Sequence, residues 1–195
     1  MLAPRKKLWS TPSCAIQIAT QFANLTSNDI LYDVGCGDGR VLIQMASETP
    51  CQTLIGIEID AERAMEAKEN IAQAMKSGQI PSDTSIKVVC QNALEVDYSD
   101  ATVVFLYLIP RGLRLIKSVL LRGRCPTEET TNTLLPPLCV ITYMAPFADE
   151  QYERKEICVV DHQKGAEWPI YLYTLGGEGK EATKKSNENG SSQGL

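Results

Sequence analysis

The stretch Tyr32-Asp33-Val34-Gly35-Cys36-Gly37-Asp38-Gly39-Arg40 sets three alternating glycines between an apolar, strand-like run (Asp29 to Val34) and a run of helical spacing (Asp38 to Ser47). Glycine permits a tight turn and lets a ligand approach the backbone closely. The free N–H groups that open the following helix favour an anionic group. Two carboxylates, Asp33 and Asp38, flank the same turn and suit a ligand carrying an ammonium or sulfonium better than a bare pyrophosphate. Downstream, Gly56-Ile57-Glu58-Ile59-Asp60 closes a second apolar run. Glu58 stands about 20 positions past the turn, where an acid can bind both hydroxyls of a ribose. A dinucleotide fingerprint starting at Gly35 needs glycine at position 40, which holds Arg40, and one starting at Gly37 meets Leu42. The turn fits an adenosine-bearing cofactor and disfavours a nicotinamide dinucleotide.

Outward from this turn the chain alternates strand and helix. Ser10-Thr11-Pro12 reads as a helix start with a hydroxyl cap, followed by Ala15, Ile16, Ala19, Phe22 and Ala23 at helical spacing. Thr53 to Ile59 is a second strand, and Asp60 is an N-cap for a helix expected to bury Ala64, Ala67, Ile71 and Met75 before stopping at Ser77-Gly78. Ser85 to Cys90 and Ala101 to Leu106 are further strands, and Pro110 opens a helix with Leu113, Ile116, Val119 and Leu120 on one face. A fifth strand, Leu138 to Met144, precedes a hairpin of Glu156 to Asp161 and Trp168 to Leu175. This order predicts an open, mostly parallel α/β sheet of seven strands with a terminal antiparallel hairpin, its ligand crevice at the carboxyl ends of the strands.

The 195 residues suit a folded domain over 9–175, with a flexible segment at 1–8, an exposed polar loop at 122–137 and a disordered tail at 176–195. With 19 Lys+Arg against 24 Asp+Glu, the formal charge of −5 argues against nucleic acid as the main partner. No run of about 18 apolar residues is present, so no spanning helix is expected. Met1 to Ser10 carries Arg5, Lys6 and Lys7 without an apolar core, so neither a secretory signal nor a transit peptide is expected. An intracellular, cytoplasmic location is expected. Seven scattered cysteines read as reduced thiols, and without a Cys-x-x-Cys or Cys/His pair no metal site is expected.

The sequences DVGCGDGR (33–40), GIEID (56–60) and QNALEVD (91–97) resemble the cofactor-binding signature of class I S-adenosylmethionine-dependent methyltransferases, with their Rossmann-like fold. The resemblance spans the chain to Leu175. It implies that Asp33, Gly35, Cys36, Gly37, Asp38 and Gly39 surround the methionine part of S-adenosyl-L-methionine, that Glu58 holds the ribose, and that Asn92 lies against the adenine. The plainer reading of Glu58 and Asn92 is that they only end strands. WSTP (9–12), DYSDATVVFLYLIPRGL (97–113) and WPIYLYTL (168–175) further resemble a family of small protein-lysine methyltransferases. Its described animal members act on lysines of mitochondrial ATP synthase subunit c and the adenine nucleotide translocase. That resemblance implies a protein substrate bearing a target lysine and offers the mitochondrion as an alternative compartment.

The acceptor is expected beside Leu106-Tyr107-Leu108-Ile109-Pro110, at the fourth strand end. A lysine amine must arrive neutral although its free pKa is about 10.4, and an apolar channel with a tyrosine hydroxyl favours that state. Tyr107 is the catalytic candidate, against the alternative of a core tyrosine. Thr11 is expected to touch the cofactor or, more simply, to cap its helix. His162 reads as a solvated or structural histidine, against the alternative of a general base. Asp149, Glu150 and Glu153 form an acidic cluster that either attracts a basic substrate or is simply solvated. Two other functions stay open on sequence alone: a small-molecule methyltransferase of the same fold, and a cofactor-binding module without catalysis.

Overall fold

Near-continuous apolar runs in the central strands supply two faces that must both be covered, and the chain covers them with helices. The computed structural model describes residues 10–125, 134–160 and 165–176. Its elements are α1 (Ser13–Ala23), β1 (Ile30–Val34), α2 (Arg40–Glu48), β2 (Thr53–Glu58), α3 (Ala61–Lys76), β3 (Ser85–Cys90), a 3-10 turn (Ala93–Glu95), β4 (Val103–Leu106), α4 (Pro110–Leu120), β5 (Leu138–Tyr143), β6 (Arg154–Val160) and β7 (Ala166–Leu175). They form one sheet of seven strands in the order β3-β2-β1-β4-β5-β7-β6. The first five strands run parallel, while β7 is antiparallel to both β5 and β6.

Chain order reverses between β1 and β4, so the crevice of an open α/β sheet opens there. Leu31, Leu54, Phe105 and Ile141 point to the face packed by α1, α2 and α3. Tyr32, Val34, Val104 and Val140 point to the face packed by α4. Segment 144–153, between β5 and β6, contains no helix. Tyr152, Ile157 and Val159 there and on β6 stay exposed.

Several expectations change on contact with the structure. The N-cap of α1 is Pro12, with no side-chain cap, so neither Ser10 nor Thr11 plays that part. Asp60 does cap α3, accepting from the N–H groups of Glu62 (3.0 Å) and Arg63 (3.1 Å). That helix buries Ala74 rather than Met75, which is 39% exposed, because the helical period brings residue 74 and not 75 onto the face of Ala67 and Ile71. The loop expected to be exposed from residue 122 is not so at Arg124, which is 1% exposed. Its Nη2 donates to the carbonyls of Tyr98 (3.0 Å) and Ala101 (2.8 Å), tying the end of α4 to the approach to β4. The rest of that loop at 126–133, the segment 1–8, Trp9, His162 and the tail from 177 lie outside the described residues.

Candidate active site

The glycine turn sits at the carboxyl end of β1. Gly35, Gly37 and Gly39 have φ of +83°, +56° and +82°, a region that side chains other than glycine rarely enter, so the alternation is a backbone requirement. The turn is pinned on three sides. Gly35 N and Cys36 N donate to the Ile57 carbonyl at 2.7 and 3.0 Å. Asn70 Nδ2 on α3 donates to the Asp38 carbonyl at 2.9 Å. Gly37 N donates to Glu58 Oε2 at 3.0 Å. At Gly39, an added Cβ would stand 3.4 Å from Ala67 Cβ and Ile71 Cδ1, so the turn also packs tightly on α3.

Glu58 is buried at the end of β2, and its other oxygen accepts from the N–H groups of Ile59 (2.8 Å) and Asp60 (3.0 Å). These bonds hold the carboxylate beside the turn in one orientation. Asp33 is 2% exposed, and its Oδ2 is buried without a hydrogen-bond partner. Burial, with the charges of Glu58 and Asp38 nearby, pushes the Asp33 carboxyl up to about 8. Asp38 behaves oppositely: burial alone would raise it, but the Arg40 guanidinium, with Nε 3.0 Å from both carboxylate oxygens, holds it below the usual carboxylate range. The Cys36 thiol is buried against Gly56 and Leu42, so this residue offers the site only its backbone.

Asn92 follows β3 and caps the 3-10 turn, its Oδ1 accepting from Leu94 N and its Nδ2 donating to Glu95 Oε1, each at 3.1 Å. Thr11 lies buried just before α1, whose first turn is tied to α2 by Ser13 Oγ donating to Gln44 Oε1 at 3.0 Å.

A second group of residues lies across the switch point. Because Leu106 pairs with Thr142, the next residues of β4 and β5, Tyr107 and Tyr143, emerge side by side. Their rings meet edge to face at 4.8 Å. Tyr143 is buried, and Tyr107 Oη donates to Met144 Sδ at 2.9 Å. Met144 has φ +70°, one of two non-glycine residues with positive φ among those described, and its N–H donates to the Pro169 carbonyl of β7 at 2.8 Å. Sequence reasoning missed Met144, because nothing in Tyr-Met-Ala-Pro announces a left-handed methionine. It also missed Ile59, which is 70% exposed beside Glu58; a large apolar residue wedged between a strand-ending acid and a helix cap was a usable signal.

The acidic cluster turns out to be structural in part. Lys117 of α4 bridges Asp149 (2.8 Å) and Glu150 (2.6 Å) and so ties the loop after β5 to that helix. Among the described residues no group of three or more His, Cys, Asp or Glu is arranged to hold a metal ion.

Residues 33–128 match the profile of the ANTKMT methyltransferase domain. Over 166 residues, 85% of this chain and 91% of its relative, the sequence is 30% identical to a protein-lysine N-methyltransferase of Saccharolobus islandicus (strain REY15A). The chain belongs to this family of protein-lysine methyltransferases. The methyltransferase is also 26% identical over 151 residues to an H3 lysine-79-specific histone-lysine N-methyltransferase of Dictyostelium discoideum, covering 66% of this chain but 8% of that protein. In fold it is similar to an RNA methyltransferase from Salinibacter ruber solved with S-adenosyl-L-homocysteine, with a TM-score of 0.68 and 24% identity over 88% of this chain and 97% of that one. The methyltransferase uses S-adenosyl-L-methionine as its methyl donor. No helix among its described residues is long and apolar enough to cross a membrane.

Proposed function

We propose that this methyltransferase methylates the side-chain amine of a lysine in a protein, with the donor on the β1–β2–β3 half of the crevice and the amine on the β4–β5 half. The observation that carries the reading is the buried Asp33 carboxyl near the end of β1, its Oδ2 without a hydrogen-bond partner, with the paired rings of Tyr107 and Tyr143 at the ends of β4 and β5 on the other side of the switch point. The residues fit the donor. A methionine ammonium is the cation that would draw Asp33 into its charged form. The backbone of Gly35, Cys36, Gly37 and Gly39, with Asp38 braced by Arg40, leaves room for the methionine chain. Glu58 is oriented for ribose hydroxyls, Ile59 offers an apolar platform and Asn92 amide chemistry for a purine, and Thr11 closes the pocket from the segment just before α1.

The bound donor supplies an electrophilic methyl group on a sulfonium. The protein must then present a neutral amine in line with that methyl group and keep water away from it. Tyr107, Tyr143 and Met144 supply a wall that excludes water, and desolvation there disfavours the ammonium ion. The phenol oxygen of Tyr107 orients the amine by accepting one of its N–H groups. A net charge of −5 favours encounter with a basic protein. The two similar proteins named for lysine methylation support a protein lysine as the acceptor.

Calorimetry of wild type and Glu58→Ala with S-adenosylmethionine and S-adenosylhomocysteine tests the donor half. Binding is expected in the wild type and at least tenfold weaker in the variant, since several hydrogen bonds of about 1 kcal/mol each are removed. A tritiated-methyl assay on whole extract, read as methyl-lysine after acid hydrolysis, tests the acceptor. Label on another residue type, or none in protein, overturns the lysine reading.

A further inference from the structure

We propose that Cys14 and Cys158 are an oxidation-sensitive dithiol: a peroxide converts them to a disulfide that bolts the first turn of α1 to β6 beside Tyr143. The bridge is a property of the fold alone. Its effect on methyl transfer rests on the reading of Tyr107 and Tyr143 as the acceptor wall.

The two cysteines are far apart in sequence, yet their sulfurs converge on one atom. Cys14 Sγ donates to the Val159 carbonyl at 3.6 Å, and Cys158 Sγ lies 4.0 Å from the same oxygen. A side-chain hydrogen bond also joins the two thiols. Cys14 is the second residue of α1 and is partly exposed, whereas Cys158, on the face of β6 that meets α1, is 1% exposed. The other end of the helix is held separately, by the Arg154 guanidinium of β6 lying 4.7 Å from the centre of the Phe22 ring. α1 is therefore tied to β6 at both ends, and its first-turn tie is made of thiols. Thiols are weak hydrogen-bonding groups, so that tie is loose while reduced and covalent once oxidised.

Exposure sets the order of reaction. Cys14 meets the reagent first: its sulfur attacks one peroxide oxygen, the O–O bond breaks, and the other oxygen leaves with the thiol proton, which gives a sulfenic acid. The Cys158 sulfur then attacks the Cys14 sulfur. The S–S bond forms, the S–O bond breaks, and the hydroxyl leaves with the Cys158 proton as water. Two thiols lose two electrons in all, and one peroxide gains them. Burial, with the Cys14 thiol beside it, pushes the Cys158 thiol up to about 12. Cys158 therefore stays protonated toward reagents in solution and reacts with the partner already next to it.

Both thiols also border the Tyr143 phenol, which burial first, and then Cys158, Tyr107 and Cys14, push above its ordinary range. Tyr143 and Cys158 belong to one packed core, against which Cys14 and Tyr107 also pack. A disulfide draws its sulfurs to about 2.05 Å, well inside their non-bonded separation. A close-packed interior passes such a displacement to its neighbours. The Tyr143 ring must yield, and with it the Tyr107 ring, 4.8 Å away. Oxidation thus distorts the acceptor wall and slows transfer.

The test uses the full chain, reduced or treated with hydrogen peroxide, as wild type, Cys14→Ser and Cys158→Ala. Free thiols are alkylated and the peptides mapped by mass spectrometry. Treated wild type is expected to give a linked Cys14–Cys158 peptide, two hydrogens lighter than its halves and split by dithiothreitol. Its melting temperature should rise by several degrees, because the bridge closes a long loop of the unfolded chain. With poly-L-lysine as acceptor and saturating S-adenosylmethionine, kcat for methyl-lysine should fall about tenfold, since in-line transfer is sensitive to small misplacements, and dithiothreitol should restore it. Either variant should lose the bridge and the melting shift, and Cys14→Ser should keep its reduced rate under peroxide. Absence of the linked peptide overturns the inference, as does a bridge between other cysteines that leaves these two free. So does inactivation by peroxide that Cys14→Ser shares with wild type, or a bridged enzyme as fast as the reduced one. A reduced wild type that makes no methyl-lysine overturns the lysine reading alone, because the bridge and the melting shift are read without turnover.

Discussion

Asp33 concentrates the cost of the donor site in one side chain. It is buried, one of its oxygens has no partner, and Glu58 and Asp38 lie close by. Its carboxyl has moved from 3.8 up to about 8, so the folded state holds a proton that the unfolded chain releases once the pH passes about 4. Between those two values the folded protein binds more protons than the unfolded one. Its stability therefore falls as pH rises through that window, and the loss is complete above about 8. Asp33→Asn removes the carboxyl that must be kept neutral. The ligand-free variant is expected to melt level with wild type at pH 4 and several degrees higher at pH 9, while binding S-adenosylmethionine at least tenfold more weakly. Thermal melts across pH, paired with calorimetry, check this. Equal melting at both pH values would mean that the Asp33 carboxyl is charged in the folded state without cost.

At the scale of elements, the strand and helix order was legible because each signal is local. Short apolar runs mark the strands, and the glycines at 35, 37 and 39 mark the turn by their backbone demand. Asp60 announces a helix by capping chemistry. What stayed hidden depends on partners distant in sequence. Arg124 looked like part of a solvated loop because its neighbours are polar and rich in Thr and Pro. Its burial follows from the carbonyls of Tyr98 and Ala101, more than 20 residues earlier, to which its guanidinium donates. The sequence signature pointed to Glu58 as a ribose ligand but not to the hydrogen bond from Gly37 N that fixes its orientation. Met144 carries no sequence mark at all, since its conformation is imposed by β7. Arg124→Met tests the hidden tie. Losing the charge-assisted bonds to the carbonyls of Tyr98 and Ala101, the first of which keeps its bond from Ala101 N, should cost about 2–4 kcal/mol and lower the melting temperature by roughly 10 °C. Affinity for S-adenosylhomocysteine in the folded fraction should stay within a factor of about two, because the tie lies at the amino end of β4 and the site at its carboxyl end. Chemical denaturation and calorimetry on the same samples separate the two effects. A variant as stable as wild type would show that water or a local rearrangement satisfies the carbonyls.

Across the whole molecule the switch point divides the sheet into halves of different build. On the donor side, the glycine turn is locked to β2 and α3 by hydrogen bonds from Gly35, Cys36, Gly37 and Asn70. On the acceptor side, β6 is an edge strand, segment 144–153 contains no helix, and Ile157 and Val159 are 44% and 50% exposed. Edge strands with one open face exchange their amide hydrogens early, whereas central strands exchange only on global opening. Hydrogen exchange with and without S-adenosylhomocysteine should therefore separate the halves. In the free protein, β1 and β4 should be the slowest strands and the two edge strands, β3 and β6, the fastest. On binding, protection should rise in the turn 35–40 and at 58–60 and 91–95, and stay level in β6. Protection spreading equally into β6 would mean that the donor orders the acceptor side, making occupancy of the first half a condition for building the second. Protection confined to the turn and its neighbours would mean that the acceptor wall of Tyr107, Tyr143 and Met144 is formed before either substrate arrives, as its strand register and the Met144 bond to Pro169 require.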